Sequence, residues 1–318
     1  MSARRQIPLQ IPEKVRRNAA LIGDVGHTWL ADLPQRIAAL ERRWAITVGQ
    51  PVPRASEAFV AQARTRDGRD AMLKIVMPGI DPARHELRIL QAAAGVGYAR
   101  LLCADAAENA MLLEQLGPPL HQLHLREDRE IQIIGATLRE AWTLPAAGLA
   151  LPTGADKAVE LSHIIEAHWA SLGRPCSERT FARALRYAEK RRRAFDPTLS
   201  VLAHGDAHAS NTLSAPGTVT GFKFVDPDGA FAERAFDLAI YLREWGAALP
   251  AGDLVELGRR RCHLLGRGAD VACQPVWEWG LIQCVANGLL LLRIGITKPA
   301  LVSLAMADAW AAGGAASR

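Results

Sequence analysis

The sequence has few cysteines, and none stand in a pairing pattern. Cys103, Cys176, Cys262, Cys273 and Cys284 are odd in number and include no CxxC. That excludes a disulfide framework and a paired-cysteine zinc site, and it reads as reduced thiols, mostly core filler. Long apolar runs are also missing. The most apolar late stretch, Leu281 to Ile296, is interrupted by Gln283, Asn287 and Arg293. It is too short and too broken for a span of about 20 apolar residues. Arg4 and Arg5 are followed by Pro8, Pro12, Glu13 and Lys14 rather than by an apolar core, so no signal-peptide pattern is present. The expectation is a cytoplasmic chain with no membrane partner. Charge of one sign is scarce too: the net is +5, with 16 Lys and Arg against 12 Asp and Glu in residues 1–120, and 22 against 21 in the rest. The densest basic run, Arg191-Arg192-Arg193, ends a helical pattern of Phe181, Leu185 and Ala188 behind a capping Ser177. Cations suit a last helical turn, so a solvated helix end is expected there. No basic stripe interleaved with aromatics occurs, and nucleic acid is not an expected partner.

What is present is an ordinary globular composition, 49% hydrophobic and 22% charged over 318 residues. It suffices for a sizeable core and about two domains. Residues 1–40 are expected to be helical, with Val15, Ala19, Ile22, Trp29, Leu33, Ile37 and Leu40 as the apolar positions. Three strands are expected between Ala45 and Val76, with a turn at Asp67-Gly68. Asp81-Pro82 then opens a helix, Asp as cap and Pro at the first position, whose apolar face is Ala83, Leu87, Leu90 and Ala94. A short strand at Met111-Leu112-Leu113 leads into Glu114–Pro119. Beyond it Leu125, Ile131, Ile134, Leu138 and Trp142 mark a helix, residues 143–156 read as loop, and helices dominate to the end except at 199–229. The expected class is α+β: a helical extension (1–40), a small antiparallel β lobe (41–113), a hinge (114–120) and a larger helical lobe (121–318).

The strongest chemical signal is Val201-Leu202-Ala203-His204-Gly205-Asp206-Ala207-His208-Ala209-Ser210-Asn211. A β-type run delivers His204, Asp206 and Asn211 into a loop. A second β-type run, Phe222-Lys223-Phe224-Val225, ends in Asp226-Pro227-Asp228-Gly229. Phosphoryl transfer to a hydroxyl needs these groups: a carboxylate to orient and deprotonate the acceptor, and an amide oxygen with another carboxylate to hold Mg²⁺ against nucleotide phosphates. The spacing is that of the kinase loop H-R-D-x-x-x-x-N, with Gly205 in place of Arg. Lys74 lies in the third expected strand. Glu86 falls on the largely apolar face of the next helix, where a carboxylate requires a partner; Lys74 is the expected one.

His-Gly-Asp-x-His-x-x-Asn, an Asp-Pro segment and Phe236-Asp237-Leu238-Ala239 together resemble the aminoglycoside phosphotransferase group of kinase-like enzymes. The resemblance is closest to the aminoglycoside/hydroxyurea resistance kinases, which include streptomycin 6-phosphotransferases. Ile11-Pro12, Trp29-Leu30, Leu33-Pro34 and Leu40-Glu41-Arg42-Arg43-Trp44 extend it over nearly the whole chain. It implies a two-lobed protein-kinase-like fold, ATP and Mg²⁺ as cofactors, and a small hydroxylated molecule as acceptor, in a monomer or weak homodimer. By position, Asp206 matches the catalytic base, with His208 beside it where protein kinases place a phosphate-contacting lysine. Asn211 and Asp226 match the metal ligands, and Lys74 and Glu86 the phosphate-positioning pair. Glu114, Gln115 and Leu116 match the hinge that meets adenine, and Asp237 an aspartate that supports the loop. No G-x-G-x-x-G precedes Lys74, so Pro53–Val60, with Ser56, must serve instead. Streptomycin carries guanidinium groups, which call for spare carboxylates; Asp228, Glu233 and Glu278 are the candidates for substrate contact. Hydroxyurea would need no such cluster.

Three other readings fit the sequence less well. A metal-dependent phosphoesterase lacks its upstream Asp-x-His, since His27 follows Asp24 by three residues. A protein kinase would carry D-F-G and A-P-E, whereas this chain has Asp226-Pro227-Asp228 and no A-P-E after it. A non-catalytic nucleotide-binding protein would not need every one of these groups. The expectation is a phosphotransferase with an alcohol acceptor, of streptomycin type, or alternatively one acting on hydroxyurea or another small hydroxylated metabolite.

Overall fold

The computed structural model describes residues 10–79, 82–146 and 148–313, leaving aside the side chains of 82–84. The expected cap Asp81 and residues 1–9 lie outside that range. The chain divides into two compact units, parted between Leu116 and Gly117.

The first unit opens with two helices, α1 (Glu13–Leu21) and α2 (Asp24–Trp44). The break falls at Gly23, whose φ of 67° only glycine adopts freely. Strands β1 (Ile46–Pro51), β2 (Ala58–Thr65) and β3 (Asp70–Val76) follow, then α3 (Pro82–Ala93), β4 (Leu101–Asp105) and β5 (Ala110–Glu114). They form one antiparallel sheet in the order β1-β2-β3-β5-β4. Trp29, Leu33, Ile37 and Leu40 recur at helical spacing and bury against Phe59 and Ala61 of β2 and Leu73 and Ile75 of β3. Each large apolar side chain so buried contributes about 1.5–3 kcal/mol before entropy is set against it. The central strand β3 carries Lys74, opposite Val60 on one side and Met111 on the other. Strand β4 was not foreseen, because Leu101-Leu102-Cys103-Ala104-Asp105 has no two-residue alternation: four of its residues are half-buried and Ala104 is exposed.

The second unit begins with a 3₁₀ turn (Leu120–Leu123) and is mainly helical: α4 (Glu127–Ala141), α5 (Gly154–Trp169), α6 (Glu178–Arg193), α7 (Arg234–Leu242), α8 (Leu254–Ala269), α9 (Cys273–Arg293) and α10 (Thr297–Gly313). Helix α5 starts inside the stretch expected to be loop, because Thr153 and Asp156 form a reciprocal capping box. Ser177 caps α6 as expected, its hydroxyl accepting from Thr180 N at 3.2 Å. Between α6 and α7 lie two antiparallel pairs, β6 (Ser200–Ala203) with β9 (Ala230–Glu233) and β7 (Thr212–Ser214) with β8 (Phe222–Phe224). Helix α9 is apolar around nearly its whole circumference, and it is buried by α5, α6, α7, α8 and α10. Among the described residues no helix is long and apolar enough to cross a membrane.

Candidate active site

The two short β pairs of the second unit set two loops side by side. Residues 204–211 connect β6 to β7, and residues 225–229 connect β8 to β9. Backbone bonds stitch them together: Val225 N to Asn211 O at 3.0 Å and Gly229 N to His204 O at 2.9 Å. His204 is wholly buried between them. Its Nδ1 accepts from Asp206 N at 3.1 Å, which leaves Nε2 to donate to Val225 O at 3.0 Å. Burial holds the ring neutral, with its pKa down to about 4. One imidazole therefore ties the backbone of Asp206 to the residue preceding Asp226.

Asp237, on α7, fixes the same loop from below. It is fully buried and accepts from His204 N (2.9 Å), Gly205 N (2.8 Å) and Trp142 Nε1 (2.8 Å). Burial pushes its pKa up to about 6 against those three donors.

The Asp206 carboxylate is held on both oxygens. Oδ1 meets Arg243 Nη2 at 3.1 Å, while Oδ2 meets His208 Nε2 at 3.2 Å and Asn211 Nδ2 at 3.1 Å. Burial works to raise its pKa, but the hydrogen bond and charge of His208, followed by Arg243, outweigh it and hold the group at about 2. His208 responds in the opposite sense. Burial pulls its pKa down, yet the bond to Asp206 and the charges of Asp206 and Glu244 leave it above the usual 6.5.

Asn211 gives its amide nitrogen to Asp206 twice, to the backbone oxygen and to Oδ2, each at 3.1 Å. Its amide oxygen is thereby turned away from the Asp206 carboxylate. Asp226 is exposed and sits in the left-handed region at φ 56°, where aspartate is among the few tolerated residues. An amide oxygen and a carboxylate are hard donors that fit Mg²⁺, an ion that keeps most of its shell for water and phosphate.

Asp206, His208 and Arg243 open onto a cavity of about 510 Å³ within the second unit. Its other walls include Glu244, Trp245, Asn287, Leu291, Val302 and Ser303. Arg261 fixes the 243–247 segment: it donates to Glu244 O, stacks 3.5 Å from the Trp245 ring centroid and donates through Nε to Glu127 Oε1 at 2.9 Å. Sequence reasoning missed Arg243 and Glu244. They follow Asp206 at no motif spacing, and only the fold of α7 returns them to it.

The three acids expected to meet substrate do not line this cavity. Asp228 is exposed beside Gly205. Glu278 is completely buried and pairs with Arg191 Nε at 2.7 Å and Lys190 Nζ at 2.5 Å. Glu233 accepts from Trp279 Nε1 at 2.8 Å and from Arg191 Nη1 at 3.3 Å. Glu233 and Glu278 are thus consumed by structural ion pairing, and Arg191 is buried rather than solvated as expected.

In the first unit, Lys74 Nζ meets Glu86 Oε1 at 2.8 Å and Oε2 at 2.6 Å, and both side chains are buried. Ser56 lies in the β1–β2 connection, where its carbonyl accepts from Asn18 Nδ2 at 3.1 Å. Glu114 ends β5 and accepts from Arg100 N at 2.7 Å. Gln115 is exposed and Leu116 half-buried.

Comparison with known proteins agrees with this geometry. The chain is 25% identical to a streptomycin 6-kinase of Streptomyces griseus, over 91% of this chain and 92% of that one. It is 27% identical to a streptomycin 6-kinase of Streptomyces glaucescens, over 94% and 97%. Its fold matches that of a choline kinase from Streptococcus pneumoniae with a TM-score of 0.60, at 12% identity, over 87% of this chain and 97% of that one. Residues 43–295 match the family described as aminoglycoside/hydroxyurea antibiotic resistance kinase. The chain belongs to that family of two-lobed, kinase-like enzymes and is a small-molecule phosphotransferase with a hydroxyl group as acceptor.

Proposed function

We propose that this enzyme uses ATP and Mg²⁺ to phosphorylate an aminoglycoside of streptomycin type. The observation that carries the reading is the placement of Asp206 at the edge of a cavity of about 510 Å³ that also presents Glu244. The Glu244 carboxylate makes no hydrogen bond or ion pair among the described contacts, so it is available to a guanidinium. Cavities of roughly 300–1,000 Å³ suit whole small-molecule ligands. Hydroxyurea, a few heavy atoms without a cation, would fill little of this one and leave Glu244 unused. The fold alone names no acceptor, and the full-length relatives that are streptomycin 6-kinases support the same choice.

In this reading Asp206 accepts a hydrogen bond from the acceptor hydroxyl, orients it and takes its proton late in the transfer. His204 and Asp237 keep the base in place. Asn211 and Asp226 hold Mg²⁺, which when bound neutralises charge on the phosphates. Lys74, steadied by Glu86, positions phosphate; the 53–60 segment with Ser56 covers it, and the backbone of Glu114–Leu116 meets the adenine. Positioning and charge neutralisation supply most of the acceleration.

The test is ADP release from Mg-ATP with streptomycin, with hydroxyurea in parallel and Asp206→Ala as the blank. Streptomycin-dependent turnover is expected. Loss of the base is expected to lower kcat by roughly 10²–10⁴ while ATP affinity stays within about twofold. Turnover with hydroxyurea alone, or an ATP affinity that falls with Asp206→Ala as far as with Asp226→Ala, would overturn the assignment.

A further inference from the structure

The cation beside the base belongs to no part of the catalytic-loop motif. Arg243 caps the C-terminus of α7, six residues beyond Asp237, with its backbone N–H on Ala239 O at 3.1 Å. Its side chain is 16% exposed, and Nη2 lies 3.1 Å from Asp206 Oδ1. Its Nε is buried and has no hydrogen-bond partner, an arrangement that costs free energy unless a ligand relieves it. The guanidinium lines the cavity together with Asp206 and His208. Neutralising Asp206 does not by itself require Arg243, because His208 already bonds the other carboxylate oxygen. The guanidinium has five donors in a planar fork, and only one is committed to the base.

We propose that Arg243 is a catalytic residue of the transfer. One edge of its guanidinium bonds Asp206 Oδ1, and the other meets an equatorial oxygen of the phosphoryl group in flight. The proposal rests on the kinase reading above. A base stands about 2.6–3.2 Å from the hydroxyl it serves, and the reacting oxygen and phosphorus are about 3–3.5 Å apart. A guanidinium already touching the base therefore lies within reach of the phosphoryl oxygens. The step balances as follows. The acceptor oxygen forms a bond to the γ-phosphorus, and the bond from that phosphorus to the β,γ-bridging oxygen breaks. Its electron pair stays on ADP. The acceptor proton passes to Asp206 and then to solvent. No charge is created on Arg243, which stabilises what the three equatorial oxygens carry.

The experiment compares wild type with Arg243→Ala and Arg243→Lys. Titration calorimetry measures MgADP binding with and without aluminium fluoride, a mimic of the transferring phosphoryl group that needs no identified acceptor. Steady-state turnover with streptomycin is measured alongside. In Arg243→Ala, MgADP affinity is expected to stay within about twofold, while the extra affinity from aluminium fluoride and kcat both fall by roughly 10²–10³. Millimolar guanidinium chloride is expected to restore part of kcat, which a structural defect would not allow. Arg243→Lys keeps the charge but loses the fork, and roughly a tenfold loss of both quantities is expected; this variant keeps the test decisive if Arg243→Ala does not fold. Undiminished aluminium fluoride enhancement in either variant overturns the proposal. So does a raised streptomycin KM with kcat retained, which would assign Arg243 to acceptor binding. A wild type that binds MgADP–aluminium fluoride yet ignores streptomycin removes the acceptor assignment and leaves Arg243 judged by calorimetry. A wild type that binds no MgADP overturns both.

Discussion

Gly205 occupies the position of the arginine in H-R-D, and its surroundings explain the exchange. Its φ is 86°, and a Cβ there would stand 3.0 Å from Asp228 Cβ and 3.3 Å from Gly229 N. Both obstacles are backbone or the root of a side chain, so neither yields cheaply. Gly205→Ala is expected to cost about 1–3 kcal/mol and to displace Asp206, the proposed base, which urea denaturation and kcat would register together. An unchanged midpoint with full activity would refute this. At Asp226 the left-handed backbone is compatible with asparagine as well. Asp226→Asn should raise the Mg²⁺ concentration for half-maximal turnover by roughly tenfold or more. The Asp206–His208 pair gives stability a defined pH window. The lowered pKa of Asp206 adds stability above its ordinary value of 3.8, lost as pH falls toward about 2. The raised pKa of His208 adds stability below 6.5, lost as pH climbs through its shifted value. Thermal denaturation of His208→Gln should therefore lack the alkaline decline that wild type shows; an identical decline in both would place its origin elsewhere. The motif residues were legible in the sequence because their spacing is fixed along one loop. Arg243 was not, because nothing local couples it to Asp206.

At the scale of the element, α6 shows what a charge run conceals. Thr180, Ala184, Ala188 and Arg191 are its buried residues, and they recur at the spacing of one helical face. That stripe could have marked Arg191 as an inward cation, but the pattern of Phe181, Leu185 and Ala188, with the helix-dipole argument, read the three arginines as a solvated helix end. Arg192 and Arg193 do bond the exposed Glu189 on their own helix, so two of the three fit the expectation. Arg191 crosses instead to Glu278 of α9 and to Glu233 at the start of α7. Removing one partner of a buried pair leaves an uncompensated charge at about 3–5 kcal/mol, whereas replacing both with apolar residues is often nearly neutral. Arg191→Leu is accordingly expected to cost about 3 kcal/mol, softened by Lys190, and Arg191→Leu with Glu278→Leu to recover most of it. Chemical denaturation of the single and double variants decides the matter; a double variant weaker than the single would show that the pair itself stabilises the helix contact. The elements were otherwise readable where periodicity was strong, as in α2 and β3. They were missed where no two-residue alternation marked a strand, as in β4, or where a capping box began a helix inside a Pro- and Gly-rich stretch, as in α5.

At the scale of the molecule, the chain builds two units with separate cores, and the proposed acceptor cavity lies wholly within the second. The class of fold followed from the order of strands and helices, but the cavity walls did not. They come from the 204–208 loop, the 243–247 segment, α9 and α10, brought together by packing of α9 against α7 and α10, and no sequence spacing encodes that convergence. An acceptor bound there acts on the stability of the second unit by mass action. A ligand at a hundredfold excess over its Kd adds about 2.7 kcal/mol, which for a unit of this size is a rise of roughly 5–10 °C in Tm. Streptomycin should produce such a shift, and hydroxyurea at equal concentration should not. Glu244 is exposed and without a partner among the described contacts, so Glu244→Gln should leave the unliganded Tm where it is. Loss of a charge-assisted hydrogen bond costs about 1.5–3 kcal/mol, a tenfold or greater weakening, which at the same ligand concentration roughly halves the shift or reduces it further. Differential scanning fluorimetry of the two proteins measures both quantities in one series. Equal shifts in wild type and Glu244→Gln would mean that the cation of the acceptor is received elsewhere, and the carboxylate facing this cavity would lose its assigned part in choosing the substrate.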